Sequence, residues 1–187
     1  MSPANGFFIT GTDTEVGKTV VSAVFAYGLR KQGYDIGAMK PVATGSHRRD
    51  GEWVADDTLL LHKAVGGAQP ILEITASSCT FEMPASPHLA AEMENRPVRK
   101  ELVCASFELL TKQYAFIIVE GVGGLFVPIR RDWMAFDMAQ EFGLPLVIVA
   151  RSELGTLNHT LLTLNAARNK GLTIAGDRKS TRLNSSH

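Results

Sequence analysis

Short apolar runs alternate along the chain with longer stretches of helical periodicity, which is how a parallel sheet covered by helices shows itself in a sequence. Residues 6–10 read as the first strand. Residues 18–32 follow as a helix, with Val20, Val21, Ala23, Val24 and Leu29 spaced to bury one face and Gly33 placed to end it. The next strand is expected over 35–41, apolar at Ile36, Ala38 and Met39 and stopped by Pro41. A polar loop is expected over 44–55, then a short helix over 56–65 with apolar residues at Leu59, Leu60 and Val65. Residues 73–84 fit no single pattern and read as extended. Two helices follow at 87–94 and 98–112, the second amphipathic through Leu102, Val103, Phe107 and Leu110. The clearest buried strand is 116–119, with another at 144–150, and residues 158–170 form a helix that Gly171 closes. Residues 172–176 begin like a further strand and give way to DRKSTRLNSSH, which is polar and aperiodic. The expectation is an α/β domain over 1–176, its mostly parallel sheet flanked by helices and incomplete at the C-terminus. Residues 177–187 are expected to be a disordered or foreign tail, kept out of the fold.

Composition narrows the chemistry. At 187 residues and 45% hydrophobic content the chain can bury one sizeable core. Nineteen basic side chains face nineteen acidic ones, so no global field recruits nucleic acid or an anionic membrane, and an anion site has to be built locally. Without Asp177, Arg178, Lys179 and Arg182 the balance turns slightly acidic. No apolar run reaches the ~18 residues that a membrane span needs. The first ten residues carry no Arg or Lys, and neither a leader nor an anchor is expected. Cys79 and Cys104 lie far apart and outside any CxxC, as reduced thiols of a cytoplasmic protein do.

Against that background one turn stands out. The first strand runs into Gly11-Thr12-Asp13-Thr14-Glu15-Val16-Gly17-Lys18-Thr19 at the start of a helix. Backbone N–H groups at such a turn face a polyphosphate, Lys18 can reach the terminal phosphates, and the Thr19 hydroxyl can ligate magnesium. Five residues separate the two glycines, one more than the usual pattern. Magnesium needs further hard oxygen ligands. Glu120 supplies one: it ends the buried run at the carboxyl edge of the sheet, where open α/β folds place ligands, and there it is expected to be exposed. Gly121, Val122, Gly123 and Gly124 after it let backbone approach a phosphate or substrate. Asp57 is the second acidic candidate, with Asp56 beside it as a competitor. Lys40, at the end of the second strand, suits a charge clamp for phosphoryl transfer. Thr44 and Ser46 after it are small hydroxyl donors or ordinary turn residues. The five histidines have no metal spacing and no GxSxG elbow occurs; His88 and His159 read as structural hydrogen bonders.

Taken in order, GTDTEVGKT, KPVATGS, Asp57, SPH at residues 86–88, EGVGG at 120–124 and LGTLNH at 154–159 resemble the successive signatures of the dethiobiotin synthetases, from about Phe7 to Gly176. The resemblance implies a Rossmann-like P-loop NTPase fold and a homodimer. It implies ATP and Mg2+, and as substrates 7,8-diaminononanoate and CO2. A carbamate forms, ATP phosphorylates it, and the second amine closes a cyclic urea with loss of phosphate. By position, Glu15, Val16, Gly17, Lys18, Thr19 and Val20 would hold the ATP phosphates together with Gly121, Val122 and Gly123. Thr19, Asp57 and Glu120 would ligate magnesium. Lys40, aided by Lys18, would be catalytic, and Thr14 and Thr44 would contact substrate. Gly155, Thr156, Leu157 and Asn158 would take the substrate carboxylate, contributed by the partner subunit. Where this chain changes character after residue 176, the family continues into a strand and a purine-recognising stretch, so the resemblance implies weakened nucleotide selectivity and stability.

Three rivals remain at this point. A cobyrinic acid amidating synthetase shares the loop but is joined to a glutamine-hydrolysing domain for which this chain has no room. A partitioning ATPase carries a lysine and glycines inside the loop, where Asp13, Thr14 and Glu15 stand here. A non-catalytic module on the same fold would have lost Lys40 or Glu120, and both are present.

Overall fold

The structure is a computed structural model that describes residues 5–49, 51–76 and 79–175. The expected tail at 177–187 lies outside the described residues. In chain order the strands are β1 (Gly6–Gly11), β2 (Ile36–Met39), β3 (His47–Arg49), β4 (Glu52–Val54), β5 (Phe116–Gly124), β6 (Pro128–Arg130), β7 (Trp133–Met134) and β8 (Leu146–Val149). The helices are α1 (Lys18–Lys31), α2 (Asp56–Ala64), α3 (Ile71–Ile74), α4 (Pro87–Met93), α5 (Lys100–Gln113), α6 (Ala135–Phe142) and α7 (Thr156–Asn169).

Four strands form one parallel sheet in the order β2-β5-β1-β8. Because successive side chains of a strand point to opposite faces, neighbouring residues feed two separate cores. Phe8, Met39 and Val119 pack with Val103 and Phe107 of α5 and Met138 and Phe142 of α6. Ile9, Ala38 and Ile118 pack on the other face with Ala23 and Ala26 of α1 and Leu61 of α2. Both faces are covered, which explains why the strands read as continuous apolar runs rather than alternating ones.

Several expectations are corrected. On α1 the buried face is Lys18, Ser22, Ala23 and Ala26, while Val20 and Val24 are 60% and 64% exposed. The helix sits close over the sheet, so small residues make the contact and the valines face out. In α2 the core residue is Leu61, and Leu60 is exposed. The expected loop over 44–55 contains the antiparallel hairpin β3–β4. Of the stretch expected to be extended from 73 on, Glu73 and Ile74 belong instead to the helical turn α3; the extended reading holds at Thr80, which bridges Ala43 in parallel. The strand expected at 116–119 continues to Gly124. The β6–β7 hairpin and α6 have no counterpart in the sequence reading, although Trp133, Phe136, Met138 and Phe142 bury a large apolar face there. Beyond β8, a strand does begin: Leu146 donates to Thr173 O at 2.7 Å and accepts from Ala175 N at 2.7 Å.

Candidate active site

All parallel strands end on one side of the sheet, and there a cleft of ≈ 780 Å³ opens between the β1–α1 turn, the end of β2, the first turn of α2 and the end of β5. Thr14, Glu15, Gly17, Lys18, Thr19 and Val20 line it from the turn. The turn is held open by conformation rather than by side chains. Gly17 sits at φ 93°, where a β-carbon is strained. A β-carbon at Gly11 would lie 2.5 Å from the carbonyl oxygen of Asp13, the group that accepts from Lys18 Nζ at 2.9 Å. Glu15 also takes a left-handed φ of 54°, so the turn has two left-handed residues just ahead of the α1 N-terminus, the kind of backbone from which an anion cradle is built.

Lys18 is buried, and among the described residues that carbonyl is the hydrogen-bond acceptor of its ammonium. Burial pulls its pKa down, and the Lys40 ammonium adds to the effect against the opposing pull of Glu120, Asp57 and Asp13. The side chain is therefore short of negative charge. Lys40 is in the opposite condition. Its Nζ lies 2.7 Å from Glu120 Oε1 and 2.9 Å from Asp57 Oδ2, and 3.4 Å from the carbonyl of Gly121. Burial opposes its charge, but the two carboxylates outweigh burial and raise its pKa. Asp57 is shifted reciprocally: burial would raise its carboxyl, and the Lys40 charge with hydrogen bonds from Lys40 and Thr19 brings it below the ordinary value.

The Thr19 hydroxyl lies 2.9 Å from both Asp57 Oδ1 and Glu120 Oε1. With one proton it donates to one carboxylate at a time. Three oxygen-bearing side chains from α1, α2 and β5 thus meet at one point, and the other Glu120 oxygen, Oε2, is buried without a hydrogen-bond partner. Among the described residues no group of three or more His, Cys, Asp or Glu side chains forms a metal cage. A hard divalent ion here would have two carboxylates and a hydroxyl, and would take its remaining oxygens from water and a bound nucleotide, which suits magnesium. Of the two aspartates, Asp57 lines the cleft and accepts from Thr19, while Asp56 is exposed.

Glu120 departs from expectation. It is fully buried inside β5, opposite Ile9 of β1, and not an exposed carboxylate at the strand's end. Val16 turns its side chain into the core beside Ile9 and can offer only backbone. Val122, Gly123 and Thr44 line the cleft, whereas Gly121 contributes its carbonyl. Gly155, Thr156, Leu157 and Asn158 do not line it; they begin α7 after a left-handed Gly155, and Leu157 and Asn158 are exposed.

Sequence reasoning missed Arg151, whose Nη2 donates to the Thr14 carbonyl at 2.9 Å. Its signal was available, since it directly follows a strand at the ligand-facing edge, as Lys40 does. Ser86 also borders the cleft, and its hydroxyl pairs with His88 Nδ1 at 3.0 Å, consistent with a structural His88. Among the described residues no helix is long and apolar enough to cross a membrane.

The chain matches the family described as AAA domain (AAA_26) over residues 5–176. It is 41% identical over 173 residues to the ATP-dependent dethiobiotin synthetase BioD of Methanocaldococcus jannaschii, covering 90% of this chain and 76% of that protein. It is 39% identical to the protein of the same name from Thermodesulfovibrio yellowstonii, over 91% of this chain and 73% of that one. Among solved structures, a ParA family ATPase from Chlorobium tepidum superposes with a TM-score of 0.51 at 16% identity, covering 92% of this chain and 71% of that one. The last likeness concerns the fold alone: a parallel sheet flanked by helices, of the P-loop NTPase type.

Proposed function

The chain belongs to the ATP-dependent dethiobiotin synthetases, ligases that close the ureido ring in biotin synthesis, and from that premise we propose that the cleft beside Lys18 and Lys40 is where this chain performs the reaction. The observation that carries the reading is the pairing state of the two lysines: one lacks a counter-charge, and the other is held between two carboxylates.

On this reading Glu15, Val16, Gly17, Lys18, Thr19 and Val20 cradle the ATP phosphates, with Lys18 drawing the counter-charge it lacks from their oxygens. Val122 and Gly123, with the carbonyl of Gly121, form the opposite wall. Thr19, Asp57 and Glu120 hold Mg2+, which, when bound, neutralises phosphate charge during transfer. Thr14 and Thr44 face the space left for 7,8-diaminononanoate, whose carbamate, formed with CO2, has to lie in line with the terminal phosphate. Lys40 is the group placed to exchange its carboxylate partners for charge that develops on the transferring phosphoryl group. The second amine then closes the ring on the carbamate carbon and phosphate leaves. Gly155, Thr156, Leu157 and Asn158, which do not line this cleft, serve the substrate carboxylate of a partner subunit across a homodimer. A cytoplasmic setting fits the reduced cysteines.

The test is direct. The purified protein incubated with ATP, magnesium, bicarbonate and 7,8-diaminononanoate should release dethiobiotin, ADP and phosphate in equal amounts. Phosphate release indifferent to the diamine would overturn the assignment of the cleft.

A further inference from the structure

Strand β2 is the outer strand of the four-stranded sheet, and its free edge leads to Lys40, the residue after it. In a parallel strand every second residue directs its N–H and C=O away from the paired neighbour; β5 takes one edge of β2, and on the other lie Ala38 and, just past the strand's end, Lys40. An open edge leaves such groups without partners. Here a side chain fills the place of a strand. Gln69, 1% exposed, accepts from Ala38 N at 2.8 Å through Oε1 and donates to Ala38 O at 2.8 Å through Nε2. Two residues on, Lys40 N donates to Ile74 O at 2.7 Å. The cover continues with Ala43 donating to Cys79 O at 2.9 Å.

Gln69 is itself held by α2. The His62 Nδ1 lies 2.8 Å from the Gln69 carbonyl, and since a carbonyl only accepts, the ring carries its proton on Nδ1. The same helix, which ends in this clamp, carries Asp57 in its first turn. One connection therefore ties the C-terminal end of α2 to β2, two residues before the lysine that has to meet the carboxylate from the N-terminal end of α2 at 2.9 Å. An apolar residue at position 69 could fill the same buried volume but could not hold this register.

We infer that Gln69 is a positioning residue for Lys40: its side-chain amide stands in for a missing strand and sets the placement of the lysine between Asp57 and Glu120. The inference rests on the reading of Lys40 as the group that acts on the transferring phosphoryl.

Two measurements test it. The first is a double-mutant cycle in thermal stability, which needs no turnover. Gln69→Leu should lower the melting temperature in the wild-type background, and this drop should shrink by at least half when Lys40 is already Gln, because the ion pair it would disturb is gone. Equal drops in the two backgrounds would reduce Gln69 to a local prop and overturn the inference. The second is catalytic. Gln69→Leu should reduce kcat about 10- to 100-fold while ATP affinity changes less than threefold. In Gln69→Glu the buried carboxyl can reproduce both hydrogen bonds only when protonated, so its kcat relative to wild type should be near unity at pH 6 and fall towards the leucine level by pH 9. A ratio that stays flat with pH, or parallel losses in kcat and ATP affinity, would sink the idea, and the glutamate variant decides if the leucine variant does not fold. The control Lys40→Gln separates the two readings. Turnover retained there removes the premise; turnover lost there but unchanged in both Gln69 variants removes this inference alone.

Discussion

The β1–α1 turn and the facing ends of β2 and β5 each deliver one lysine to the same cleft, and they treat it in opposite ways. Lys18 sits on a helix N-terminus against one backbone carbonyl, with its charge disfavoured by burial and by the neighbouring ammonium. Lys40 sits between two carboxylates that overcome an even deeper burial. A buried cation without a partner costs stability and is retained where a ligand completes it. A buried cation with two anions contributes to the fold and is available for chemistry only if it changes partners. The difference teaches that the two lysines are to be told apart by their effects on the free protein as much as by their effects on rate.

The largest effect is expected for Lys18→Gln: turnover should fall about 10³-fold and ATP binding should weaken with it. Yet the melting temperature without nucleotide should stay level or rise, because an uncompensated charge has been removed. A clear loss of stability in the free protein would break the contrast. Next comes Lys40→Gln, with turnover down roughly 10²-fold and ATP affinity spared more than rate. Here the free protein should lose about 3–5 kcal/mol by denaturant titration, since Glu120 is left buried without its cation. If that variant is as stable as wild type, Glu120 is solvated in solution and the ion pair is not part of the fold. Glu120→Gln should destabilise by less, on the order of 1.5–3 kcal/mol, because Asp57 still holds Lys40, and it should raise the magnesium concentration needed for half-maximal turnover. An unaltered magnesium requirement would assign Glu120 to Lys40 alone.

The smallest effect concerns pH, and the signs differ between the regions. Asp57 is depressed from its ordinary 3.8, so its contribution to stability is present above that value and is lost as pH falls through its lower folded value. Lys40 is raised from 10.5; its contribution is present below 10.5 and is lost as pH rises through its higher folded value. Lys18 is depressed from 10.5, so the cost of its charge fades as pH rises through its folded value. Bound phosphate favours the charged form, so calorimetry of ATP binding in buffers of different ionisation enthalpy should show proton uptake as pH approaches the folded pKa of Lys18, and Lys18→Gln should abolish it.

The resemblance carried by GTDTEVGKT, KPVATGS and EGVGG was legible because phosphate chemistry demands glycine, lysine and hydroxyl residues at short fixed spacings along one loop. The parallel sheet was legible for a similar reason: strands covered on both faces are apolar throughout, and 116–119 and 144–150 could hardly read otherwise. Those signals are local, and a short stretch of chain carries each of them whole. It also named Lys40, Asp57 and Glu120, but it could not say that they touch, since they come from three elements 17 to 80 positions apart. Nor could it show that Glu120 is buried, because burial depends on which strands flank β5 and not on the residues beside it in the chain. Val20 and Val24 of α1 were misplaced on the same account, while Val21 and Leu29 do pack against the core: a periodic pattern states that one face is buried, and only packing against β1, β2 and β5 decides that the close face takes alanine and serine. Gln69 carries no motif at all. A lone glutamine before a proline has meaning only once β2 is known to be an edge strand, because an unpaired edge is a property of sheet order, and sheet order is decided by long-range contacts that no local stretch of sequence records.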